Sequence, residues 1–150
     1  MYKKIYIEKL FQCPPDGKYD DLMIDYGSVP CITPYYTSQI ICNIIKENSP
    51  VEHPLIFDGT AGCGGDTITL ASTFGCIIAC EQDQTRFQML INNINVFGLT
   101  NVIPINHNSV KVISSIGKID IVYIDPPWGG HNYKKRKKMR LKLGTMFIDE

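Results

Sequence analysis

A short apolar strand that runs into a glycine-rich turn and then into a helix constrains the fold of this chain more than any other feature. Leu55-Ile56-Phe57-Asp58 is followed by a run of small residues at 59–65 and by an apolar helical pattern at 67–71. This order is typical of the first nucleotide-binding unit of an open parallel sheet. The spacing departs from G-x-G-x-x-G, because Thr67 stands where the third glycine would be. A pyrophosphate is therefore not the expected ligand.

Acidic residues at the ends of the first two predicted strands suit a cationic nucleoside. Asp58 ends the first strand, and Glu81 follows the apolar run 76–80, about 20 residues beyond the turn, where sheets of this kind bind ribose hydroxyls. We expect Asp58 to orient the amino group of a methionine moiety, directly or through water. Order and spacing together indicate an S-adenosylmethionine site. Its predicted binding residues are Asp58, Gly59, Thr60, Ala61, Gly62, Gly64 and Glu81.

A second turn, Asp125-Pro126-Pro127-Trp128-Gly129-Gly130, follows the apolar run 119–124. It suits methyl transfer to an exocyclic base nitrogen, which is a poor nucleophile until something accepts its protons. Asp125 supplies one acceptor beside the donor, and the carbonyl of Pro126 supplies a second, because the next proline holds the turn extended. Trp128 would stack on the base, a contact worth roughly 1–3 kcal/mol. The alternative is a strand terminator followed by a loop aromatic that covers the core.

The chain alternates strand and helix patterns, which predicts an α/β fold with a parallel, doubly wound sheet and its ligand at the carboxyl ends of the strands. Strands are expected at 55–58, 76–80, 102–106 and 119–124, and helices at 67–71, 84–97 and 109–115. Asp83 can cap the second of these helices and Gly98 can end it. Pro104 predicts an edge strand, since it cannot donate to a ladder. The apolar fourth strand predicts helices on both of its faces.

The first fifty residues are less regular and are expected to form a helical and loop segment over the cofactor. Thr33 and Pro34 read as the N-cap and first-turn proline of a helix that ends near Asn48. The start of that helix, with Thr33, would close over the methionine end of the cofactor. Its inward positions are predicted to be Ile40, Ile41, Ile44 and Ile45. Residues 51–150 then form the donor-binding core.

The chain resembles the trimethylguanosine synthases, a family of cap-hypermethylating RNA methyltransferases, in three stretches: 25–34, 58–68 and 125–130. The most specific of these is Pro-Pro-Trp-Gly-Gly. The resemblance implies a Rossmann-like class I methyltransferase fold. In it, Trp128 would stack on the methylated guanine of an RNA cap, and the segment 1–50 would cover the cofactor and cap site. Asp125 and Pro126 would face the 2-amino group of that guanine. Asn108 would join Asp58 and Glu81 at the donor, accepting from the adenine amine through its amide oxygen.

The proline turn lies close to the end of the 150 residues. A complete fold of this class has further strands after that turn, and a sheet that ends on its fourth strand exposes an apolar edge. The sequence therefore predicts a core that lacks its C-terminal strands, or a second chain that completes the sheet.

A basic run follows the proline turn. Seven of the fifteen basic residues lie between Lys134 and Lys142, leaving eight basic residues against fifteen acidic ones elsewhere. Such a run is often a solvated segment or a nuclear-localisation signal. Its place beside the catalytic turn favours contact with the phosphates of capped RNA, through Lys135, Arg136, Lys137 and Lys138 in particular.

Cysteine usage and hydropathy indicate the cellular compartment in which the protein is expected. The six cysteines form no C-x-x-C pair and no histidine lies at zinc-finger spacing, so no metal site is predicted. No signal peptide and no apolar run long enough to span a membrane are present. These observations predict an intracellular protein, cytoplasmic or nuclear, with free thiols.

Three functions agree with these patterns. The first is methylation of the 2-amino group of a 7-methylguanosine cap. The second is methylation of another exocyclic amine in rRNA, tRNA or DNA, which the Asp-Pro-Pro-Trp core permits. The third is a binding module that retains affinity for the donor or for RNA without turnover.

Overall fold

The computed structural model describes residues 7–126, 138, 140–143 and 145–148. Its centre is a four-stranded sheet of β1 (Leu55–Asp58), β2 (Cys76–Cys80), β3 (Val102–Ile105) and β4 (Ile121–Tyr123). The strands lie in the order β3-β2-β1-β4, and all three neighbouring pairs are parallel. The predicted parallel sheet is confirmed, and the strand that contains Pro104 lies at an edge of the sheet that the described residues form.

Four α-helices connect and cover these strands. They are α1 (Tyr35–Asn48), α2 (Gly65–Thr73), α3 (Gln84–Val96) and α4 (Ser109–Ile113). Residues 7–10 are also helical, and short 3-10 helices lie at Tyr19–Asp21 and Val29–Cys31. A small antiparallel hairpin, β5 (Lys142–Leu143) and β6 (Met146–Phe147), is separate from the main sheet. Within the described ranges, none of the helices has both the length and the apolar character that a bilayer span requires.

Helices cover the two faces of the sheet unequally, as side chains alternate between those faces. Ile56 and Ile77 pack with Cys42 of α1 and Leu70 of α2, and Ala79 packs with Leu90 of α3 on the same face. The opposite face is covered by α4, whose Val112 packs with Phe57 and Ile78. This confirms the doubly wound arrangement.

The described helices do not fully cover both faces of the apolar fourth strand. Val122 of β4 is 46% exposed, whereas α4, with five residues, packs on Phe57 of β1 and Ile78 of β2. Ile103 of β3, at the other edge of the described sheet, is likewise 52% exposed. That a further strand or a second chain pairs with β4 stays a prediction.

Helix α1 differs from its predicted form in two respects. Its N-cap is Pro34, whose carbonyl accepts from the backbone N–H groups of Thr37 and Ser38, and Thr33 lies one residue outside. The buried face contains Ser38 and Cys42, while Ile40 and Ile44 are exposed. The prediction of four inward isoleucines was wrong for these two, because the helix turns its smaller side chains toward α2.

The N-terminal segment packs directly on the core. Phe11 and Leu22 share one apolar cluster with Ile68 of α2 and Phe97. Asn93 of α3 lies fully buried below this segment. Its amide nitrogen donates to the carbonyls of Met23 and Cys63, both at 2.8 Å, and its oxygen accepts from the backbone N–H of Met23 at 2.8 Å. The division into units 1–50 and 51–150 stays a prediction, and apolar packing crosses that boundary.

The caps of α3 follow the sequence prediction closely. The Asp83 side chain accepts from the backbone N–H of Arg86 at 2.9 Å. Gly98 follows the helix with a φ of 62°, a left-handed conformation that glycine adopts without strain. Leu90, Ile94 and Phe97 form the buried face of this part of the chain. These caps and buried contacts fix the position of α3, which begins shortly after Glu81.

Candidate active site

A cavity of about 310 Å³ lies at the carboxyl ends of β1, β2 and β4. Strand β1 has β2, the next strand along the chain, on one side and β4 on the other, so the strand order reverses at β1. Ligands of doubly wound folds bind at such a switch point. The predicted site residues that line the cavity are Gly59, Thr60, Ala61, Gly62, Glu81, Asp125 and Pro126. Sequence patterns from three separate regions thus meet in one place.

The glycine-rich turn between β1 and α2 forms one wall of the cavity. Gly62 and Gly64 have φ values of 54° and 96°, which glycine adopts without strain. A Cβ atom at Gly64 would lie 2.9 Å from Cδ1 of Leu90, so this residue is also required by packing. Gly64 serves the shape of the turn and is not among the residues that line the cavity.

Glu81 lies between the glycine-rich turn and the start of α3. One carboxylate oxygen accepts from the backbone N–H of Gly62 at 2.9 Å, and the other accepts from that of Asp83 at 2.7 Å. A carboxylate has about four acceptor sites, so two backbone bonds leave capacity for the hydroxyls of a ribose. Glu81 therefore orders the turn and presents acceptors to the cavity.

Asp58 lies beneath the turn rather than on the cavity surface. It is 1% exposed, and its carboxylate accepts from the backbone N–H of Thr60 at 3.1 Å and from the hydroxyl of Thr67 at 2.6 Å. Burial raises the pKa of Asp58 to about 7, opposed by the hydrogen bond from Thr67 and assisted by the negative charge of Asp66. Direct contact with a ligand does not agree with this placement. An indirect contribution to donor binding stays a prediction.

Replacing Asp58 with asparagine is expected to change how stability depends on pH. Folded Asp58 holds its proton up to about pH 7, whereas an unfolded aspartate loses it near about 3.9. Its contribution to stability is thus complete below about pH 4 and is lost as the pH rises through about 7, by up to about 1.4 kcal/mol per unit. Asparagine can accept from the Thr60 N–H through its oxygen and donate to the Thr67 hydroxyl through its nitrogen. The stability of Asp58→Asn should therefore rise relative to that of the parent between pH 5 and 8.

Urea unfolding at several pH values measures this difference. Asp21→Asn, a change at an exposed aspartate, is the matched control and should follow the parent. If the free energies of unfolding of Asp58→Asn and the parent run parallel with pH, the buried acid does not retain its proton.

Asp125 and Pro126 follow β4 and face the glycine-rich turn. The backbone N–H of Asp125 donates to the hydroxyl of Thr60 at 2.8 Å, and Asp125 lines the cavity. Partial burial raises the pKa of Asp125, and the nearby negative charge of Asp66 raises it further. A carboxylate with a raised pKa is a better proton acceptor than an ordinary aspartate.

Thr33 and Asn108 use their side chains for structure. The Thr33 hydroxyl donates to Asp66 at 2.8 Å, and Ser38 donates to the other oxygen of that carboxylate, which joins α1 to α2. The Asn108 oxygen accepts from the backbone N–H groups of Val110 and Lys111 at 3.1 and 3.3 Å. Neither residue lines the cavity. That the Asn108 oxygen also accepts from an adenine amine stays a prediction.

The remaining predicted residues lie mostly outside the described part of the chain. This holds for Trp128 with its two glycines and for Lys135, Arg136 and Lys137. Lys138 is described and exposed. Two further cations of the basic run, Arg140 and Lys142, lie over the ring of Phe147 at 3.8 and 4.4 Å from its centroid. Leu143 of the same hairpin lines the cavity, so this hairpin lies close to the site.

Several cavity residues were not predicted from the sequence. Ser28 and Asp66 line the cavity and lie within the stretches 25–34 and 58–68, where they were not singled out, and Arg86 lines it but belongs to no recognisable pattern. Arg86 lies five residues after Glu81 and three after the helix cap, which was the only signal available for it. In the part of the chain that the structure describes, no group of three or more histidine, cysteine, aspartate or glutamate side chains is arranged to hold a metal ion.

A comparison with protein families agrees with the geometry of the site. Residues 53–149 match the family described as RNA cap guanine-N2 methyltransferase. The chain belongs to this family. The match includes the glycine-rich turn, Glu81 and the Asp-Pro-Pro-Trp turn, and it confirms the family that the sequence resembles.

Relatives of this methyltransferase family member include viral, fungal and bacterial proteins. An uncharacterised protein of Acanthamoeba polyphaga mimivirus is 33% identical over 91% of this chain and 63% of its own length. The trimethylguanosine synthase of Schizosaccharomyces pombe is 27% identical over 78% of the chain and 51% of its own length. Ribosomal RNA small subunit methyltransferase J of Francisella philomiragia is 26% identical over 82% of the chain and 56% of its own length. The chain thus spans between half and two thirds of these relatives.

Solved structures show the same fold. A precorrin-8w decarboxylase from Methanobacterium thermoautotrophicum superposes with a TM-score of 0.61 at 22% identity, covering 79% of this chain and 65% of the other. A precorrin-6y C5,15-methyltransferase from Geobacter metallireducens gives a TM-score of 0.60 at 18% identity, covering 75% and 57%. These likenesses confirm the Rossmann-like class I methyltransferase fold.

Proposed function

We propose that this chain transfers a methyl group from S-adenosylmethionine to the exocyclic 2-amino group of a 7-methylguanosine cap on RNA. The observation that carries the proposal is the shared cavity at the ends of β1 and β4. There, a glycine-rich turn suited to the donor lies beside Asp125 and Pro126, which suit an amine acceptor. Membership of the cap guanine-N2 family supports the identity of that acceptor.

The residues that line the cavity fit such a donor. Its volume of about 310 Å³ falls in the range of small-molecule sites. Glu81 would hold the ribose hydroxyls with the acceptor capacity that its backbone bonds leave. Gly59, Thr60, Ala61 and Gly62 bring their backbone close to a ligand. When bound, the donor supplies an electrophilic methyl group on a sulfonium centre.

Asp125 and Pro126 would prepare the acceptor. The Asp125 carboxylate accepts one proton of the amine, and the Pro126 carbonyl accepts a hydrogen bond from the other, which returns lone-pair density to the nitrogen. Thr60 fixes the backbone of Asp125 through its hydroxyl. Trp128 would stack on the guanine and hold the nitrogen in line with the methyl group. The nitrogen–carbon bond would form as the carbon–sulfur bond of the donor breaks, which leaves neutral S-adenosylhomocysteine. The proton would pass to Asp125 and then to water.

Cap analogues that differ at one group test this proposal. The chain is incubated with labelled donor and RNA bearing a 7-methylguanosine cap, an unmethylated guanosine cap, a 7-methylinosine cap or no cap. The 7-methylinosine cap lacks the 2-amino group and retains the rest of the base. We expect label only in the RNA with the 7-methylguanosine cap, and mass spectrometry of the digested RNA should place the methyl on the 2-amino nitrogen. Equal label in the inosine cap would overturn the assignment.

A second candidate function is methylation of an exocyclic amine in ribosomal RNA. It is favoured by the similarity to a ribosomal RNA small subunit methyltransferase over 82% of the chain. Ribosomal RNA is therefore included in the same assay. Label that appears there and not in the caps would select this candidate. Donor binding by calorimetry without label in any RNA would select a binding module without turnover.

The basic run is expected to make RNA binding steeply dependent on salt. If residues 134–142 contact phosphates, log affinity should fall linearly with log salt concentration. Each phosphate neutralised on a single strand should add about 0.7 to the steepness of that slope. Replacing Lys135, Arg136, Lys137 and Lys138 with alanine should flatten that slope, weaken binding of capped RNA and leave donor affinity unchanged.

Removing four other exposed lysines supplies the matched control for this prediction. These are Lys18, Lys46, Lys111 and Lys118. The control variant loses the same charge and should keep the parental slope in fluorescence-anisotropy titrations. If both variants give the parental slope, the basic run is a solvated segment or a localisation signal.

A further inference from the structure

Arg86 is the one cationic side chain among the described residues that line the cavity. Its charged companions there are the acids Asp66, Glu81 and Asp125. An acidic lining suits the ammonium and sulfonium groups of the proposed donor. The same acidic lining repels the carboxylate of the donor's amino-acid tail, and in a partly buried site that repulsion is stronger than in water. A single cation in this lining therefore marks the place where an anionic group is tolerated.

Contacts from two elements hold Arg86 in position. Its backbone N–H donates to the Asp83 cap in the first turn of α3. Its Nε lies 3.5 Å from a carboxylate oxygen of Asp25, which also accepts from the hydroxyl of Ser28. The side chain remains 38% exposed. A guanidinium has five N–H donors, so a contact through Nε leaves most of them available to a ligand.

We propose that Arg86 binds the carboxylate of the amino-acid tail of S-adenosylmethionine. This rests on the proposed function, since it assigns the anionic end of the same donor. A planar guanidinium suits a planar carboxylate and can bind it with two parallel hydrogen bonds. The phosphates of an RNA cap are a second source of the same anionic chemistry. Asp25 then acts as a positioning residue that fixes the arginine from the N-terminal segment.

Decarboxylated S-adenosylmethionine separates these sources, because it lacks only the carboxylate. Calorimetric titration compares both donors on the parent, on Arg86→Met, which retains the aliphatic stem, and on Arg86→Lys. The parent should prefer the intact donor by about 10- to 100-fold, as for a hydrogen-bonded charge pair. Arg86→Met should lose that preference by binding the intact donor more weakly and the decarboxylated donor as the parent does. Arg86→Lys should restore part of it.

Lys118→Met is the matched control, because Lys118 also pairs with a carboxylate, at 3.7 Å from Asp120, and does not line the cavity. It should keep the parental preference. Equal weakening of both donors by Arg86→Met would overturn the proposal. So would an unchanged preference with a raised KM for capped RNA, which would assign Arg86 to cap phosphates. A parent that binds neither donor would instead contradict the proposed function.

Discussion

Replacing Trp128 with alanine is expected to abolish methyl transfer to capped RNA, with a loss of about 100-fold or more in kcat/KM. The base loses a stacking contact worth roughly 1–3 kcal/mol, and its nitrogen is no longer held in line with the methyl group, which costs about 100-fold for a small misplacement. Donor affinity should stay within a few fold, because the indole is expected to stack on the acceptor base. Single-turnover kinetics and calorimetry measure the two effects.

Trp128→Phe is the matched control, since it keeps an aromatic platform. It should retain a large part of the parental rate. An alanine variant that methylates capped RNA at the parental rate would show that this residue only covers the core. A variant that instead loses donor binding would place the indole on the donor.

Replacing Asp125 with asparagine is expected to lower kcat by about 100- to 10,000-fold, the usual contribution of a positioned proton acceptor. The fold should persist, because Thr60 holds the backbone N–H of Asp125 and not its side chain. Thermal unfolding should therefore be close to the parental transition. A kcat within a few fold of the parent would remove Asp125 from the chemistry.

The pH profile gives a second test of the same residue. The carboxylate form is the active one, and both partial burial and Asp66 raise the pKa of Asp125. The acid limb of kcat should therefore lie at a higher pH than for an ordinary aspartate, with activity lost as the pH falls through it. Asp66→Asn removes one of these causes and should move the limb to lower pH. An acid limb at the same pH in the parent and in Asp66→Asn would contradict the assignment of that limb to Asp125.

The sequence predicted the sheet well because each strand carries its own signal. The runs that end at Asp58 and Cys80 are continuous and apolar, as buried parallel strands require. Glycine or a capping acid marks the adjoining turns, and Pro104 marks an edge. Since parallel strands bring their carboxyl ends together, the meeting of Glu81 and Asp125 in one cavity followed from the same signals. The order in which the strands pair was open until the structure placed β4 beside β1.

Side-chain orientation at the strand ends was less predictable. Asp58 and Asn108 both end a strand or begin a helix, and short polar residues there are drawn to unpaired backbone N–H groups. Their oxygens are consequently used by Thr60 and Thr67 and by the first turn of α4. The outward isoleucines of α1 have a related cause, because spacing gives a helical face but does not say which of two apolar faces packs.

The hydrogen bonds of Asn93 connect the glycine-rich turn at the cavity to the N-terminal segment. One amide joins Met23 of the N-terminal segment to Cys63 of the glycine-rich turn. A ligand that orders the turn therefore also favours docking of that segment, and thermodynamic linkage requires the reverse to hold with an equal factor. A molecule that binds the exposed side of residues 19–24 and favours this docked arrangement would thereby raise the affinity of the donor site.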